Sequence, residues 1–436
     1  MSHLKEFHPL EYDIIGFDLD GTLLRFNLNN MVPLVYELLV KYLVERNYPP
    51  VFLEKNFDGD FLQKGLILDA ERGNLLKLAV NGEILKAAHG TRFLRADEIE
   101  EIYGTTNTWD VAQDYIKDPL AAWNGPLSKK IRALVDYFNI AAFLVFAQAV
   151  DILDEKEDTP NKNNGLRKTD YSNVWPDILS GLVNLYSRNN FSNGESGYFK
   201  ALKENPEKYI LKTDHKVIQH LEDLRFAGKA VYLLTGSNID FANFTASYAL
   251  GTNWRDLFHC VISFALKPGF FYMQRNFLQN DNLVEIPCSE IALQDDLLSK
   301  GNSFSQGNWQ QLKESLCKHI LSIDVSDAHC LYFGDNLLQD VYAPYTKASM
   351  DSIAICEELL EYENGYEYRP IVHSSSWGSY FCVNEKFTLW SGIIANCSQL
   401  CIPNMDAIVD VPHQEKFLSR DVQRYASNLS NGQLVH

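Results

Sequence analysis

The apolar positions of the chain predict a series of buried strands, each followed by polar residues. Strand-like runs of aliphatic and aromatic residues occupy 14–17, 230–234, 257–262 and 329–333. Between such runs the apolar residues recur with a helical spacing, as they do over 215–226. Strands that alternate with amphipathic helices are typical of an α/β fold with a parallel sheet.

The first strand-like run ends in two carboxylates, Asp18 and Asp20. Residues i and i+2 of an extended chain project to the same side, so the two carboxylates can share a pocket at the carboxyl edge of the sheet. Gly21 allows the chain to turn sharply, and Thr22 adds a hydroxyl where the turn closes. Two neighbouring carboxylates predict a bound hard cation, usually Mg2+. The alternative is an ordinary strand that ends in an acidic turn.

The second and third runs also end in residues that suit a phosphate group. Thr235, Gly236 and Ser237 follow the second run, and a hydroxyl beside free N–H groups at a helix start is a good anion contact. The same residues are also typical of a plain helix cap. Lys267 precedes Pro268, whose ring restricts the backbone and thus the direction of the lysine side chain.

The fourth run ends in Gly-Asp, and a second aspartate follows five residues later at a predicted helix start. Asp335 and Asp340 would therefore lie beside Asp18 and Asp20 if the four strands are parallel neighbours. Four polar strand ends in this order favour one common site over four chance occurrences.

These motifs resemble those of the haloacid dehalogenase superfamily, whose first signature is similar to Asp18-Leu19-Asp20-Gly21-Thr22. Gly73-Asn74-Leu75-Leu76-Lys77, Asn81-Gly82 and Ala88-His89-Gly90 resemble a stretch found in the cytosolic 5'-nucleotidase branch of that superfamily. The resemblance implies a Rossmann-like three-layer core with a parallel sheet. It also implies a large, mainly helical cap inserted after the first strand.

The resemblance further implies a Mg2+-dependent phosphomonoester hydrolase, most simply a 5'-nucleotidase that forms an aspartyl-phosphate. Asp18 would be the nucleophile and Asp20 the general acid and base, while Lys267 would neutralise the phosphoryl charge. The implied phosphate contacts are Thr235, Gly236, Ser237 and Lys267, and the implied metal ligands are Asp18, the Asp20 backbone carbonyl, Asp335 and Asp340. Gly21 departs from the branch, which often carries a bulky residue there, and this weakens the transfer of a purine substrate but not of the chemistry.

The expected organisation has four parts. Residues 1–48 and 211–364 form the core, 49–210 form a mainly helical cap with one β-hairpin at Asn81-Gly82, and 365–436 form an extension without readable chemistry. Within them, 131–153 is predicted to be one long helix and 275–306 to be irregular.

Two features of the predicted cap could have either a structural role or a role in ligand binding. Lys77 and His89 either brace the hairpin or contact a ligand. A long helical stretch carries an aromatic stripe, which is usually core but can also stack on a nucleobase; its members are Tyr137, Phe138, Phe143 and Phe146.

Composition narrows the possible partners. The 436 residues carry a net charge of −18, which argues against nucleic acid or an anionic membrane surface as a partner. The start of the chain has no signal-peptide pattern, and the longest apolar run, about 140–150, is too short to span a bilayer. Eight cysteines without a Cys-x-x-Cys pair predict reduced thiols and a cytoplasmic location.

The predicted partner is a small phosphorylated substrate, in particular a nucleoside monophosphate, and a homo-oligomer is compatible with the sequence. Two other functions stay open from the residues alone. One is hydrolysis of a different phosphorylated metabolite, and the other is a non-catalytic binding or scaffolding role on the same fold.

Overall fold

A computed structural model describes residues 6–123, 126–157, 170–194, 197–362, 370–409 and 417–418. The chain divides into two compact units. The first unit contains the described residues of Met1–Asn27, Ile210–Glu363 and Ile393–His436. The second unit contains those of Leu28–Tyr209 and Asn364–Gly392.

The first unit is built on a nine-stranded sheet. In chain order its strands are β1 (Ile14–Phe17), β2 (Ala230–Leu234), β3 (Cys260–Ser263), β4 (Phe277–Asp281), β5 (Val284–Ile291), β6 (Ser303–Gln306), β7 (Cys330–Gly334), β8 (Asp351–Ile355) and β9 (Leu400–Ile402). They lie in the order β5-β4-β6-β3-β2-β1-β7-β8-β9, and all neighbours from β6 to β9 are parallel. The α/β prediction with a mainly parallel sheet is confirmed, and the sheet is consistent with a Rossmann-like core.

Strand β1 lies between β2 and β7 within the sheet, and all four of its residues are buried. A strand without charged or polar side chains suits such a position. Phe17 at its end is in register with Leu233 of β2 and Phe333 of β7. Since the three strands are parallel and in register, their carboxyl ends meet at one edge of the sheet. Residues that follow these strands are therefore neighbours in space.

The predicted helix over 215–226 is found as His215–Phe226. The other helices are Leu28–Glu45, Ala96–Tyr103, Asp110–Lys117, Ala141–Glu157, Val174–Leu185, Arg188–Asn193, Gly197–Glu204, Pro206–Tyr209, Ile239–Ala249, Trp309–Leu316, Ala343–Ala348, Leu389–Cys397 and Asp406–Val409. Among the described residues, no helix combines the length and the apolar character needed to cross a membrane.

The second unit contains a five-stranded antiparallel sheet beside its helices. Its strands are Ile67–Asp69, Asn74–Leu78, Ile84–His89, Arg92–Phe93 and Ile131–Ala133. The predicted hairpin is present at its centre, and Gly82 adopts a φ of 81° in the turn, a backbone conformation that favours glycine. The sheet is larger than the single hairpin that the sequence predicts for this region.

The prediction of one helix over 131–153 is wrong at its start. Ile131–Ala133 is a strand that pairs with Ile67–Asp69, and the helix begins only at Ala141. The partner strand lies more than sixty positions away in the sequence. A local apolar spacing does not contain that information.

The prediction of an irregular stretch over 275–306 is also wrong, because this stretch supplies β4, β5 and β6. In β6 the pattern is polar, and Phe304 is its only large apolar residue. The strand forms because it pairs with β4 on one side and with β3 on the other, where Phe304 is in register with Ile262. Polar strands near the edge of a sheet lack the apolar run that marks a central strand.

The observed unit boundaries at 28, 210, 364 and 393 compare with predicted boundaries at 49, 211 and 365. Helix Leu28–Glu45, which the sequence assigns to the core, packs on helices Ala141–Glu157 and Val174–Leu185 of the second unit. Its buried face includes Val35 and Leu39, the residues whose spacing predicts the helix.

Candidate active site

The site lies at the carboxyl edge of the nine-stranded sheet, in the first unit. Asp18 directly follows β1, Thr235 follows β2 and Asp335 follows β7. Lys267 lies in the loop that follows β3. The parallel register of these strands thus brings together residues from all four motifs that the sequence singles out.

Lys267 is buried between two carboxylates. Its Nζ lies 2.8 Å from Oδ1 of Asp18 and 2.7 Å from Oδ1 of Asp340. Burial alone would lower the pKa of Lys267, but the two carboxylates outweigh that effect and raise it, so the lysine is charged at neutral pH. Burial raises the pKa of Asp340, whose side chain has no exposed surface, although the charge of Lys267 opposes this shift.

Three carboxylates converge on a volume that can hold a metal ion. One oxygen from each of Asp18, Asp335 and Asp340 lies within 4.8 Å of the others, and all three residues are buried. Carboxylate oxygens are the ligands that Mg2+ prefers in proteins. The donor set therefore fits a divalent cation.

The side chain of Asp20 is not in this carboxylate group, because it turns towards the end of β2. Ser237 donates its hydroxyl hydrogen to Oδ2 of Asp20 at 2.7 Å, and the Thr235 hydroxyl lies 3.4 Å from the same atom. The other oxygen, Oδ1, is buried and has no hydrogen-bond partner among the described residues. Burial raises the pKa of Asp20 to about 7, although the hydrogen bond from Ser237 opposes the shift.

The predicted phosphate-binding residues are neighbours, but one of their backbone groups has an internal partner. The Ser237 N–H donates to the Thr235 hydroxyl oxygen at 3.0 Å. At Gly236 an added Cβ would meet no atom within 4 Å, so the backbone is open on that side. The geometry of the turn is therefore compatible with both roles that the sequence predicts for it, an anion contact and a helix cap.

Two glycines leave the space that two of the aspartate side chains occupy. A Cβ on Gly21, which has a φ of +86°, would lie 2.5 Å from Oδ2 of Asp335. A Cβ on Gly334 would lie 2.2 Å from the Cβ of Asp340. These distances are too short for real atoms, so both positions need glycine for space, and Gly21 also needs it for its backbone conformation.

Sequence reasoning missed Asn336 as a site residue. Its Oδ1 accepts hydrogen bonds from the N–H groups of Leu338 and Gln339, and its own N–H donates to Oδ2 of Asp340 at 3.1 Å. Asn336 therefore caps the helical turn Leu337–Tyr342 and orients the second carboxylate of the motif. An asparagine just before a helix is the signal that could have revealed this role.

Lys77, in the second unit, is held by neutral acceptors. Its Nζ donates to Gln63 Oε1 at 2.6 Å and to the carbonyl oxygens of Trp377 and Ser379 at 3.1 and 2.5 Å. The residue is only 4% exposed. This environment favours the structural alternative, in which Lys77 fastens the 377–379 segment to the hairpin.

His89 is likewise engaged by protein groups. Its Nδ1 lies 2.7 Å from Oδ1 of Asn74 and its Nε2 lies 3.0 Å from Oδ2 of Asp154. Both ring nitrogens thus have partners within the second unit, which again favours the alternative in which the residue braces the hairpin.

The aromatic stripe predicted for the long helix includes Phe143 and Phe146. Both side chains have no exposed surface, as expected of core residues.

Fold and site together define an α/β protein with a carboxylate, lysine and hydroxyl cluster at the edge of a parallel sheet. The model of the 5' nucleotidase family matches residues 6–368, and the chain belongs to that family. It is 33% identical to 5'-nucleotidase domain-containing protein 1 of Homo sapiens, over 95% of this chain and 93% of the relative. The Bos taurus protein of the same name is also 33% identical, over 98% of this chain and 95% of the relative.

A more distant relative is 5'-nucleotidase domain-containing protein 2 of Homo sapiens, which is 24% identical over 64% of this chain and 48% of its own length. The predicted resemblance to the 5'-nucleotidase branch is therefore confirmed. At the level of the family, so is the prediction of a hydrolase that acts on phosphoric monoesters.

Proposed function

We propose that this chain is a Mg2+-dependent hydrolase that releases phosphate from nucleoside 5'-monophosphates through an aspartyl-phosphate. The observation that carries the proposal is the convergence of Asp18, Asp335 and Asp340 around Lys267, at the sheet edge where α/β folds bind ligands. Membership of the 5' nucleotidase family and the names of the relatives support the substrate class.

Asp18 is the proposed nucleophile. Its carboxylate forms a bond to phosphorus while the bond from phosphorus to the ester oxygen breaks, which splits one difficult displacement into two easier ones. Lys267, 2.8 Å from Asp18, balances the charge of the nucleophile and of the phosphoryl oxygens. The Lys267 contact also fixes the rotamer of the carboxylate before substrate arrives, which reduces the cost of orientation.

Asp20 is the proposed general acid and base. It gives a proton to the departing ester oxygen, and in the second step it takes a proton from the water that attacks phosphorus and releases Asp18. The hydrogen bond from Ser237 holds Oδ2 of Asp20, and Oδ1, which has no partner within the part of the chain that the structure describes, is left for the proton transfer.

Thr235, Gly236 and Ser237 are the proposed contacts for the phosphoryl oxygens, together with Lys267. Asp18, Asp335 and Asp340, with the backbone carbonyl of Asp20, would hold Mg2+. When bound, the ion would supply positive charge to the phosphoryl oxygens, whose anionic character otherwise repels a carboxylate nucleophile.

We also infer a cytoplasmic location. Five buried cysteines, Cys260, Cys317, Cys330, Cys356 and Cys397, are free thiols. Free thiols in this number are typical of a reducing compartment.

The test is phosphate release from a panel of nucleoside 5'-monophosphates and sugar phosphates, with the wild type beside Asp18→Asn. Turnover of nucleotides that is abolished by EDTA and by the substitution would support the proposal. Faster release from a non-nucleotide ester would keep the mechanism and change the substrate. Absence of release from every ester at every Mg2+ concentration would contradict the enzymatic proposal and favour a binding role.

A further inference from the structure

Tyr332 of β7 links two of the motifs that converge on the site. Its hydroxyl donates to the carbonyl oxygen of Leu234 at 3.0 Å, at the end of β2 and directly before Thr235. The same hydroxyl oxygen lies 3.3 Å from Nζ of Lys267, which donates to it. The tyrosine therefore connects the strand end that carries the phosphate contacts with the lysine of the site.

We propose that Tyr332 is a positioning residue for Lys267 in the hydrolytic reaction. The inference rests on the proposed function, in which Lys267 must point at the phosphoryl group. It identifies the hydroxyl of Tyr332 as the group that holds the ammonium between Asp18 and Asp340.

The hydrogen-bond inventory supports this role. A lysine ammonium has three N–H donors, and here Asp18, Asp340 and Tyr332 each accept one. Because the single hydroxyl hydrogen of Tyr332 is committed to Leu234, the lone pairs of the oxygen are available to the ammonium. A lysine stem is flexible, so the third acceptor restricts where the charge can lie.

The ring of Tyr332 is itself fixed by its neighbours. It has no exposed surface, and its centroid lies 5.6 Å from that of Phe271 and 6.2 Å from that of Tyr232. Phe271 belongs to the same loop as Lys267, so the ring supports the loop as well as the ammonium. A buried ring of this kind holds its hydroxyl at a definite place.

Tyr232 provides a matched control on the adjacent part of the sheet. It is as buried as Tyr332, its ring faces that of Tyr332, and its hydroxyl contacts Sδ of Met350 at 3.9 Å. A thioether sulfur is a weak acceptor. Tyr232→Phe therefore removes the same oxygen atom from the same core without removing a contact to Lys267.

The first experiment compares Tyr332→Phe and Tyr232→Phe in Mg2+-dependent hydrolysis of p-nitrophenyl phosphate, after both variants are shown to unfold at similar temperatures. We expect kcat of Tyr332→Phe to fall about 10-fold or more and KM to change by less than about threefold, because a displaced catalytic group mainly costs turnover. Tyr232→Phe should retain both constants within about twofold. Equal kinetics for the two variants, with an active wild type, would overturn the proposal.

A second readout needs no turnover, and it separates failure of this inference from failure of the proposed function. Brief acetylation of the native protein with acetic anhydride, followed by peptide mass spectrometry, gives the labelling rate of Lys267 relative to the exposed Lys300. We expect Tyr332→Phe, and not Tyr232→Phe, to raise that ratio several-fold. An unchanged ratio in Tyr332→Phe would overturn the positioning role, whether or not the wild type hydrolyses any ester.

Discussion

Gly21 and Asp335 come so close that a Cβ atom on the glycine would lie 2.5 Å from Oδ2 of the aspartate. The turn after β1 and the carboxylate after β7 are thus fitted to each other at contact distance. The function of Gly21 here is to leave space for a carboxylate of the candidate metal site.

Gly21→Ala should remove most of the activity. The added methyl group must displace Asp335, and the φ of +86° is unfavourable for alanine. We expect kcat/KM for the best ester to fall by about 100-fold or more, since displacement of a catalytic group by about 1 Å can have that effect. Steady-state kinetics at saturating Mg2+ measure this directly.

Gly228→Ala is the control for backbone conformation. Gly228 has a φ of +79°, but an added Cβ there would meet no atom within 4 Å. Both alanine variants should lose stability by about 1–3 kcal/mol, and only Gly21→Ala should lose kcat/KM. A Gly21→Ala variant with normal kinetics would show that Asp335 does not need its observed position.

Lys267→Met should destabilise the protein as well as inactivate it. The substitution leaves Asp18 and Asp340 buried without their cation, and loss of one partner from a buried ion pair costs about 3–5 kcal/mol. Mg2+ should restore part of the loss, because a second cation can neutralise the same carboxylates. Urea unfolding with Mg2+ and with EDTA checks this, with the exposed Lys300→Met as control; equal stability of variant and wild type would contradict it.

Mg2+ should raise the thermal unfolding midpoint of the wild type, because a ligand that binds only the folded state stabilises it. Asp335→Asn should reduce that shift strongly, since Asp335 is one of three carboxylates in the group. The exposed Asp324→Asn should keep it. A full shift in Asp335→Asn would place the metal elsewhere.

Lys77→Met should lower stability and leave the chemistry intact. The lysine supplies hydrogen bonds to Gln63 and to the carbonyl groups of Trp377 and Ser379, and nothing in these contacts involves the candidate site. We expect a lower unfolding midpoint with kcat/KM per folded molecule unchanged within about twofold. A selective rise in KM at unchanged stability would instead support the alternative of a ligand contact.

The sequence predicts which residues meet at the edge of the sheet better than it predicts the strands of that sheet. Asp18, Thr235 and Asp335 could be placed because each follows a strongly apolar run whose end is easy to locate. The strand Ser303–Gln306 could not, because it is polar and depends on its pairing with β3 and β4. Strand Ile131–Ala133 likewise depends on pairing with a strand that is distant in the sequence, Ile67–Asp69.

Individual contacts between side chains also could not be predicted from the sequence. Order along the chain indicates that Lys267 and Asp340 belong to one site, but not that they touch at 2.7 Å. Lys77 binds a carbonyl oxygen three hundred positions further along the chain, which no local pattern contains. The hydroxyl of Tyr332 is hidden in the same way, as one polar atom in a run of apolar residues.

The central claim is that Asp18 carries the phosphoryl group, and trapping that intermediate tests it most directly. The protein is mixed with its best ester and Mg2+, quenched and reduced with borohydride, which converts an aspartyl-phosphate into homoserine. Peptide mass spectrometry should find homoserine at position 18 in the wild type, in amounts that depend on the ester, and none in Asp18→Asn. Turnover with an unmodified Asp18, or homoserine at position 20 or 335 instead, would contradict the proposed mechanism.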